Sequence, residues 1–102
     1  MEELAQYEEK AELLKALGHP LRLQIVRGLL KSGCHNVGCM EASTGQSQSC
    51  ISQHLMRLKA AGVVKCSRFG NEMHYDVDNR ELVVAVVAAL FGDREEEYEQ
   101  NV

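Results

Sequence analysis

The side chains with the greatest capacity for covalent chemistry in this 102-residue sequence are four cysteines, Cys34, Cys39, Cys50 and Cys66. Thiols can be oxidised to disulfides or converted to persulfides, and thiolates bind soft ions such as arsenite, cadmium or copper(I). The cysteines lack the C-x-x-C pairs that are typical of a structural zinc site. In a cytoplasmic protein they would normally be thiols, so they are candidates for redox or metal sensing.

Geometry limits which cysteines can act together. In a continuous helix Cys34 and Cys39 would point about 140° apart, which forbids a disulfide, but a flexible loop removes that restriction. Cys50 is expected near the first turn of a helix, where the positive helix end and Arg57 favour a thiolate. Small buried hydrophobic residues are the alternative for every cysteine, most strongly for Cys66 on a predicted strand. The candidate sensing residues are therefore Cys34, Cys39 and Cys50.

The helix that would carry Cys50 is predicted within residues 45–64. Ser47 is a good N-cap, Gly62 is a good C-terminal stop, and apolar residues recur at helical spacing between them. These apolar residues are Ile51, Leu55 and Leu58. The opposite face has no carboxylate and carries Ser49, Gln53, Met56 and Ala60, flanked by Cys50, Ser52 and Arg57. Such side chains suit contacts to base edges and phosphates in a DNA major groove, and an ordinary solvated face is the alternative.

Three predicted helices precede this segment. Residues 2–16 repeat apolar side chains at helical spacing in a Glu-rich sequence, and Pro20 suits the start of a second helix that runs to about residue 31. A loop then leads into a short third helix whose apolar residues are Val37, Met40 and Ala42. Gly45 marks the turn into the next helix. A short helix, a turn with glycine and an amphipathic helix form a helix-turn-helix.

A hairpin and a last helix follow. The period changes to two in residues 63–68 and 72–77, and Phe69-Gly70-Asn71 predicts the turn between these strands. A hairpin directly behind a helix-turn-helix is a wing, whose tip would carry Arg68 and Asn71 to a minor groove or to phosphates. The alternative is that any small α+β domain can end in a hairpin.

The predicted last helix, 79–91, is apolar on all sides from Leu82 to Phe91. Asp78 and Glu81 have the spacing of a capping box at its start, and a buried strand is the alternative for so β-branched a segment. A homodimer that packs through the first and last helices would bury it. Residues 93–102 are interpreted as a polar acidic tail.

The charge distribution is uneven. The net charge is −4, yet residues 42–71 contain four basic residues and no acidic one, whereas residues 1–15 and 81–102 are acidic. An acidic protein can therefore present a basic face to DNA. The length favours a single domain, 1–102, and no segment has the features of a membrane span or a signal peptide. We expect a cytoplasmic protein without membrane contact.

Taken together, these features resemble the ArsR/SmtB family of winged-helix repressors. Two blocks carry the resemblance, in the order and at the separation found in the family. They are Ala16-Leu17-Gly18-His19-Pro20-Leu21-Arg22 and Ser52-Gln53-His54-Leu55 with Leu58, Gly62 and Val63. The similarity covers nearly the whole chain, as far as the wing around Gly70 and Tyr75. It implies a homodimer that binds operator DNA and releases it when an effector, often a thiophilic metal ion, binds.

The resemblance also implies which residues contact DNA. The family's reading helix and the turn before it correspond to Gln46, Ser47, Gln48, Ser49, Ser52, Gln53 and Arg57, and the wing tip corresponds to Arg68, Asn71 and Glu72. His54 lies on the flank toward the core and is interpreted as a packing residue.

The family's metal sites are not reproduced. One site has cysteines one residue apart at the start of the third helix, where this chain has Asn36, Val37 and Gly38. The other uses Asp and His on the last helix, and this chain has no histidine after His74. No resident cofactor is predicted, and a thiophilic metal ion remains a candidate effector at the cysteines.

The sequence thus predicts a mainly α, α+β winged helix-turn-helix with five helices and a hairpin between the last two. As a homodimeric repressor, it would bind a two-fold, double-stranded operator and be released by a thiol-directed signal, either a redox or reactive sulfur species or a thiophilic ion. A ligand-independent regulator with structural cysteines is the alternative. An enzyme is not predicted, because no Ser/His/Asp or Cys/His pair has catalytic spacing and no phosphate-binding loop is present.

Overall fold

Five α-helices and one antiparallel hairpin make up most of the fold, which confirms the predicted mainly helical winged architecture. The computed structural model describes residues 2–101, and the side chains of residues 3–99. The elements in chain order are α1 (Glu2–Leu17), α2 (Pro20–Lys31), α3 (Val37–Thr44), α4 (Gln48–Ala60), β1 (Val64–Phe69), β2 (Glu72–Val77), α5 (Arg80–Phe91) and a 3-10 helix (Glu95–Asn101). Residues 1 and 102, the ends of the predicted single domain, lie outside the described residues.

The hydrophobic core forms around α4, whose three predicted apolar residues are buried. Ile51, Leu55 and Leu58 are 0%, 1% and 0% exposed. They pack in one cluster with the buried sides of α2 and α5 and with Met40 of α3. Ala42, which the sequence placed with the apolar side of α3, is exposed, so that prediction is wrong. The short helix buries one large apolar side chain only, because its opposite side faces solvent.

Helix α1 contributes only its last turn to this core. Leu13, Ala16 and Leu17 are buried, whereas every residue from 3 to 12 is exposed. Leu4 and Tyr7 are 59% and 73% exposed. Most of α1 therefore extends from the body with an apolar side that residues 3–99 leave uncovered.

The two strands of the hairpin pair from Val64 with Val77 to Phe69 with Glu72. The connecting turn has two residues, Gly70-Asn71, instead of the predicted three, because β1 continues through Phe69. Gly70 has φ +63°, in the left-handed region that suits glycine in a tight hairpin turn.

The predicted capping box of α5 does not form. The N-cap is Asn79, with φ +51° and no side-chain cap hydrogen bond. Its side-chain amide instead donates to the carbonyl oxygen of Gly62 at 3.2 Å, which joins α5 to the end of α4. The segment is a helix, as predicted, and none of the helices within residues 2–101 is both long enough and apolar enough to cross a membrane.

The C-terminal segment is packed against the helices instead of forming the polar tail that the sequence suggested. Tyr98 is 1% exposed, and its hydroxyl donates to Asp93 Oδ2 at 2.6 Å. Arg27 of α2 donates to the same oxygen at 2.7 Å and lies over the ring of Phe91 at 4.0 Å. These hydrogen bonds from Tyr98 and Arg27 lower the pKa of Asp93. Glutamates surround the single buried Tyr98, so the periodicity of the segment gave no signal for this packing.

Candidate nucleic-acid interface

The face of α4 opposite the core is polar and accessible. Gln48, Ser49, Gln53 and Arg57 are exposed, Ser52 is half-buried, and Met56 is 71% exposed. Burial of the apolar stripe fixes this orientation, because side chains three and four residues apart share one face of a helix. The structure thus presents amide, hydroxyl and guanidinium groups on one surface, with a thioether among them.

The turn before α4 places Gln46 and Ser47 at the edge of this face. Ser47 is the N-cap, and its hydroxyl accepts from the backbone N–H of Cys50 at 3.2 Å. Gly45 has φ +73° and ends α3, and the Thr44 hydroxyl accepts from the N–H of Gln46 at 3.2 Å. Gln46 and Ser47 are both exposed. Ser47 and Gly45 carry the sequence signals of a cap and a turn, whereas the hydrogen bond of Thr44 to Gln46 has no such signal.

A cluster of polar side chains holds the flank of α4. Arg22 Nη1 donates to Nδ1 of His54 at 3.3 Å, and its Nε donates to the carbonyl oxygen of Ala16. The ring of His19 lies 4.5 Å from that of His54, and His19 also caps α2 by accepting from Leu21 N at 3.1 Å. His54 thus packs against His19 and Arg22, at the start of α2, as interpreted from the sequence. Burial first, and then the charges of His19 and Arg22, lower its pKa.

The wing carries its own polar and aromatic groups. Arg68 near the end of β1 and Asn71 in the turn are exposed at the wing tip, where the sequence predicted them, and Phe69 is 63% exposed. The Phe69 ring lies 4.8 Å from that of His74, and His74 Nε2 lies 3.7 Å from Glu72 Oε2. Glu72 therefore lies beside the His74 ring within the wing. The aromatic residue at the tip was not anticipated as a feature of the site.

The cysteines divide into one bonded pair and two free thiols. Cys34 and Cys39 form a disulfide with a Cα–Cα distance of 5.7 Å, because Cys34 lies in the loop before α3 and not in the same helix. Cys50 and Cys66 are free and half-buried. Lys59 Nζ lies 3.2 Å from Cys66 Sγ, so Cys66 is neither a fully buried nor an isolated thiol.

The fit of a thiophilic ion to these thiols is poor. Two of the four cysteines are bonded to each other, and within the described residues no group of three or more His, Cys, Asp or Glu side chains is arranged to hold a metal ion. The donors that the sequence offered as a soft-metal site are thus not assembled into one.

A helix-turn-helix whose second helix shows a carboxylate-free polar face, followed directly by a hairpin wing, defines a winged-helix DNA-binding protein. Residues 19–65 match the family model of bacterial regulatory proteins of the ArsR family. The chain is 39% identical over 94 residues to the HTH-type transcriptional regulator YgaV of Escherichia coli (strain K12). This alignment covers 88% of this chain and 94% of that relative. It belongs to the ArsR family of bacterial regulatory proteins.

Solved structures agree with this assignment. The crystal structure of the transcriptional repressor PagR of Bacillus anthracis superposes with a TM-score of 0.76 at 34% identity, over 85% of this chain and 98% of that one. The solution structure of a homodimeric winged helix-turn-helix DNA-binding domain of Mycobacterium bovis superposes with a TM-score of 0.77 at 28% identity. This superposition covers 87% of this chain and 81% of that one. The family consists of regulators, so the prediction that this chain is not an enzyme is confirmed.

The cluster around His54 makes stability depend on pH. Because the pKa of His54 is below its ordinary 6.5 in the folded chain, the unfolded chain binds the proton at higher pH than the folded chain does. The stabilisation is complete above pH 6.5 and is lost as the pH falls through the lowered value. His54→Asn keeps an acceptor for Arg22 and does not titrate. We expect the unfolding free energy from urea titrations to fall less between about pH 7.5 and about pH 5.5 in this variant than in the wild type. Equal losses in the two proteins would contradict the assignment.

Proposed function

We propose that this protein is a homodimeric transcriptional repressor that binds a two-fold operator in double-stranded DNA and is released by a thiol-directed signal. The observation that carries the DNA-binding part is the exposed, carboxylate-free face of α4 with the wing behind it. PagR is itself a transcriptional repressor, which supports repression and not activation as the proposed effect. Binding to operator DNA would place the protein in the cytoplasm.

In this proposal the two parts of the interface have different roles. Short amides and hydroxyls near the N-terminus of α4 contact base edges, and Arg57 and the wing contact phosphates or the minor groove. The residues proposed to contact DNA are Gln46, Ser47, Gln48, Ser49, Ser52, Gln53, Arg57, Arg68 and Asn71. Residues 42–71 carry four basic side chains and no acidic one, which supports this assignment.

The proposed dimer packs through α1 and α5. The apolar side chains of Leu4 and Tyr7 on α1, and of Leu90 at 62% exposure on α5, are exposed in the part of the chain that the structure describes. Large exposed apolar surfaces of this kind mark interaction sites. The M. bovis domain that this chain resembles is homodimeric. A second copy would also bring a second α4, as two half-sites of an operator require.

The proposed signal acts on the Cys34–Cys39 pair. Cys39 is exposed and therefore accessible to a small oxidant or reactive sulfur species, whereas Cys34 is 6% exposed. Cys50, half-buried in the first turn of α4, is a second candidate at the DNA surface itself. The alternative is a regulator without an effector, in which the cysteines are structural, and the burial of Cys34 in the core favours it.

The first test concerns DNA affinity. A duplex selected from a random library by the protein itself should be two-fold symmetric, and Arg57→Gln should weaken binding to it roughly tenfold and reduce the slope of log affinity against log salt by about one per subunit. Lys10→Gln, the same charge change on α1, should leave both quantities unchanged. Fluorescence anisotropy over a salt series measures them. Selection of no sequence, or equal effects of the two substitutions, would contradict the proposed interface.

The second test concerns the dimer. Leu90→Glu would place a charge on the apolar side of α5, and an unpaired buried charge costs several kcal/mol, so the dimer constant should weaken by about 100-fold or more. Phe69→Glu introduces the same charge at a similarly exposed position, 63% against 62%, on the wing. It should leave the dimer intact. Sedimentation velocity distinguishes the two, and a dimeric Leu90→Glu protein would exclude this side of α5 from the interface.

The third test concerns release. Protein treated with a low-molecular-weight disulfide should bind the selected duplex about tenfold or more weakly than dithiol-treated protein, and Cys39→Ser should abolish that difference. Cys66→Ser, which removes a free thiol outside the proposed sensor, should keep it. An unchanged wild-type affinity after oxidation, with disulfide formation verified by intact mass, would favour the structural alternative.

A further inference from the structure

The loop between α2 and α3 is joined to the middle of the wing through one residue, His35. Its carbonyl oxygen accepts from the backbone N–H of Tyr75 at 2.8 Å, and its Nδ1 lies 2.9 Å from the carbonyl oxygen of Tyr75. Since a carbonyl can only accept, Nδ1 is the donor. His35 thus satisfies both backbone groups of one residue on β2, in the manner of a one-residue third strand.

The register of the hairpin explains why these two groups are available. Tyr75 pairs with Cys66 across the hairpin, and its N–H and C=O point away from β1, as in a non-hydrogen-bonded pair of an antiparallel ladder. The outer edge of β2 is therefore open at this point. His35 meets that edge about four residues from the turn, and because a strand rises about 3.3 Å per residue, a small rotation at Tyr75 would be amplified at the wing tip.

His35 is also enclosed by the disulfide. Cys34 and Cys39 close a short ring that contains His35 and Asn36, and Asn36 caps α3 by accepting from the N–H of Cys39 at 2.8 Å. Closing a short loop removes most of the conformational freedom of the residues inside it. Cys34 is anchored in the core at 6% exposure. The ring therefore fixes His35 relative to the helices when the disulfide is present.

We propose that His35 is a positioning residue for the wing, and that the Cys34–Cys39 disulfide acts on DNA binding through the pair of hydrogen bonds between His35 and Tyr75. With the disulfide closed, the wing is held at one angle to α4. With two thiols, the loop is no longer fixed, the hydrogen bonds between His35 and Tyr75 open more often, and the hairpin adjusts to the DNA backbone. The oxidised protein therefore binds DNA more weakly. This inference rests on the proposed thiol-directed release and specifies its route.

The redox step is balanced by a low-molecular-weight disulfide. The thiolate of the exposed Cys39 attacks one sulfur of this oxidant, which forms a mixed disulfide and releases one thiolate. The thiolate of Cys34 then attacks Cys39 Sγ, which closes the protein disulfide and releases a second thiolate. Each cysteine loses one proton and the pair loses two electrons, so the oxidant leaves as two thiols. A dithiol reverses the reaction.

The decisive variants are His35→Ala and His35→Asn. His35→Ala removes the side-chain hydrogen bond to the Tyr75 carbonyl and leaves one backbone hydrogen bond, about which the wing can pivot, whereas Asn places an amide donor where Nδ1 stood. We expect wild type to show an oxidised-to-reduced ratio of dissociation constants of about tenfold or more, His35→Ala to show a ratio near one, and His35→Asn to recover most of the wild-type ratio. His74→Ala, a histidine elsewhere on the wing, is the matched control and should keep the wild-type ratio.

Amide hydrogen exchange gives a second readout that does not involve DNA. The Tyr75 amide donates to His35, and the Asp78 amide donates to the Val63 carbonyl at 2.8 Å at the base of the hairpin. Reduction should accelerate exchange at Tyr75 and leave Asp78 unchanged. Equal protection of Tyr75 in the oxidised and reduced wild-type protein would overturn the proposed route.

The two proposals fail in different ways. A wild-type ratio near one would remove thiol-directed release and this inference with it. A wild-type ratio of tenfold that persists in His35→Ala, in a protein whose circular dichroism and melting temperature match those of His35→Asn, would leave release intact and refute the role of His35.

Discussion

The burial of one apolar stripe on α4 is the constraint on which the rest of the structure depends. Ile51, Leu55 and Leu58 are almost fully buried, and each such side chain contributes roughly 1.5–3 kcal/mol of transfer free energy. A rotation of α4 by a single residue step, about 100°, would expose part of this stripe and bury polar side chains such as Gln53 without partners. The polar face is therefore fixed toward solvent by the core behind it.

Local signals predicted the helix-turn-helix well because they act over three or four residues. The Ser47 cap, the stop around Gly62 and the period of two in β2 are all such signals, and the observed elements agree within one residue. The long-range contacts had no such signal. The pairing of His35 with Tyr75 spans 40 residues and that of Arg22 with His54 spans 32, and their residue types occur equally well on any surface. Tyr98 is a further case, since its burial depends on Arg27 of a distant helix.

The acidic composition is compatible with DNA binding because the charges are separated along the chain. The acidic residues of α1 lie on a helix whose first ten described side chains, 3–12, are exposed and extend from the body. The acidic residues after α5 are Asp93 and the glutamates of the 3-10 helix, and this segment packs against α2 through Tyr98 and Asp93. Neither segment belongs to the carboxylate-free stretch 42–71 that contains α4 and β1. A total charge of −4 therefore says little about the surface that faces DNA.

The same constraint on α4 indicates where a thiol signal can act. A helix held by three buried side chains and by the Arg22–His54 contact resists displacement, so modification of Cys50 would change the chemistry of the DNA surface more readily than its geometry. The wing is different, because a two-stranded hairpin is only marginally stable alone and takes its position from its contacts. One of those contacts, at His35, lies inside the ring that Cys34 and Cys39 close. A covalent change there would act on the movable part of the interface while the core that orients α4 remains intact.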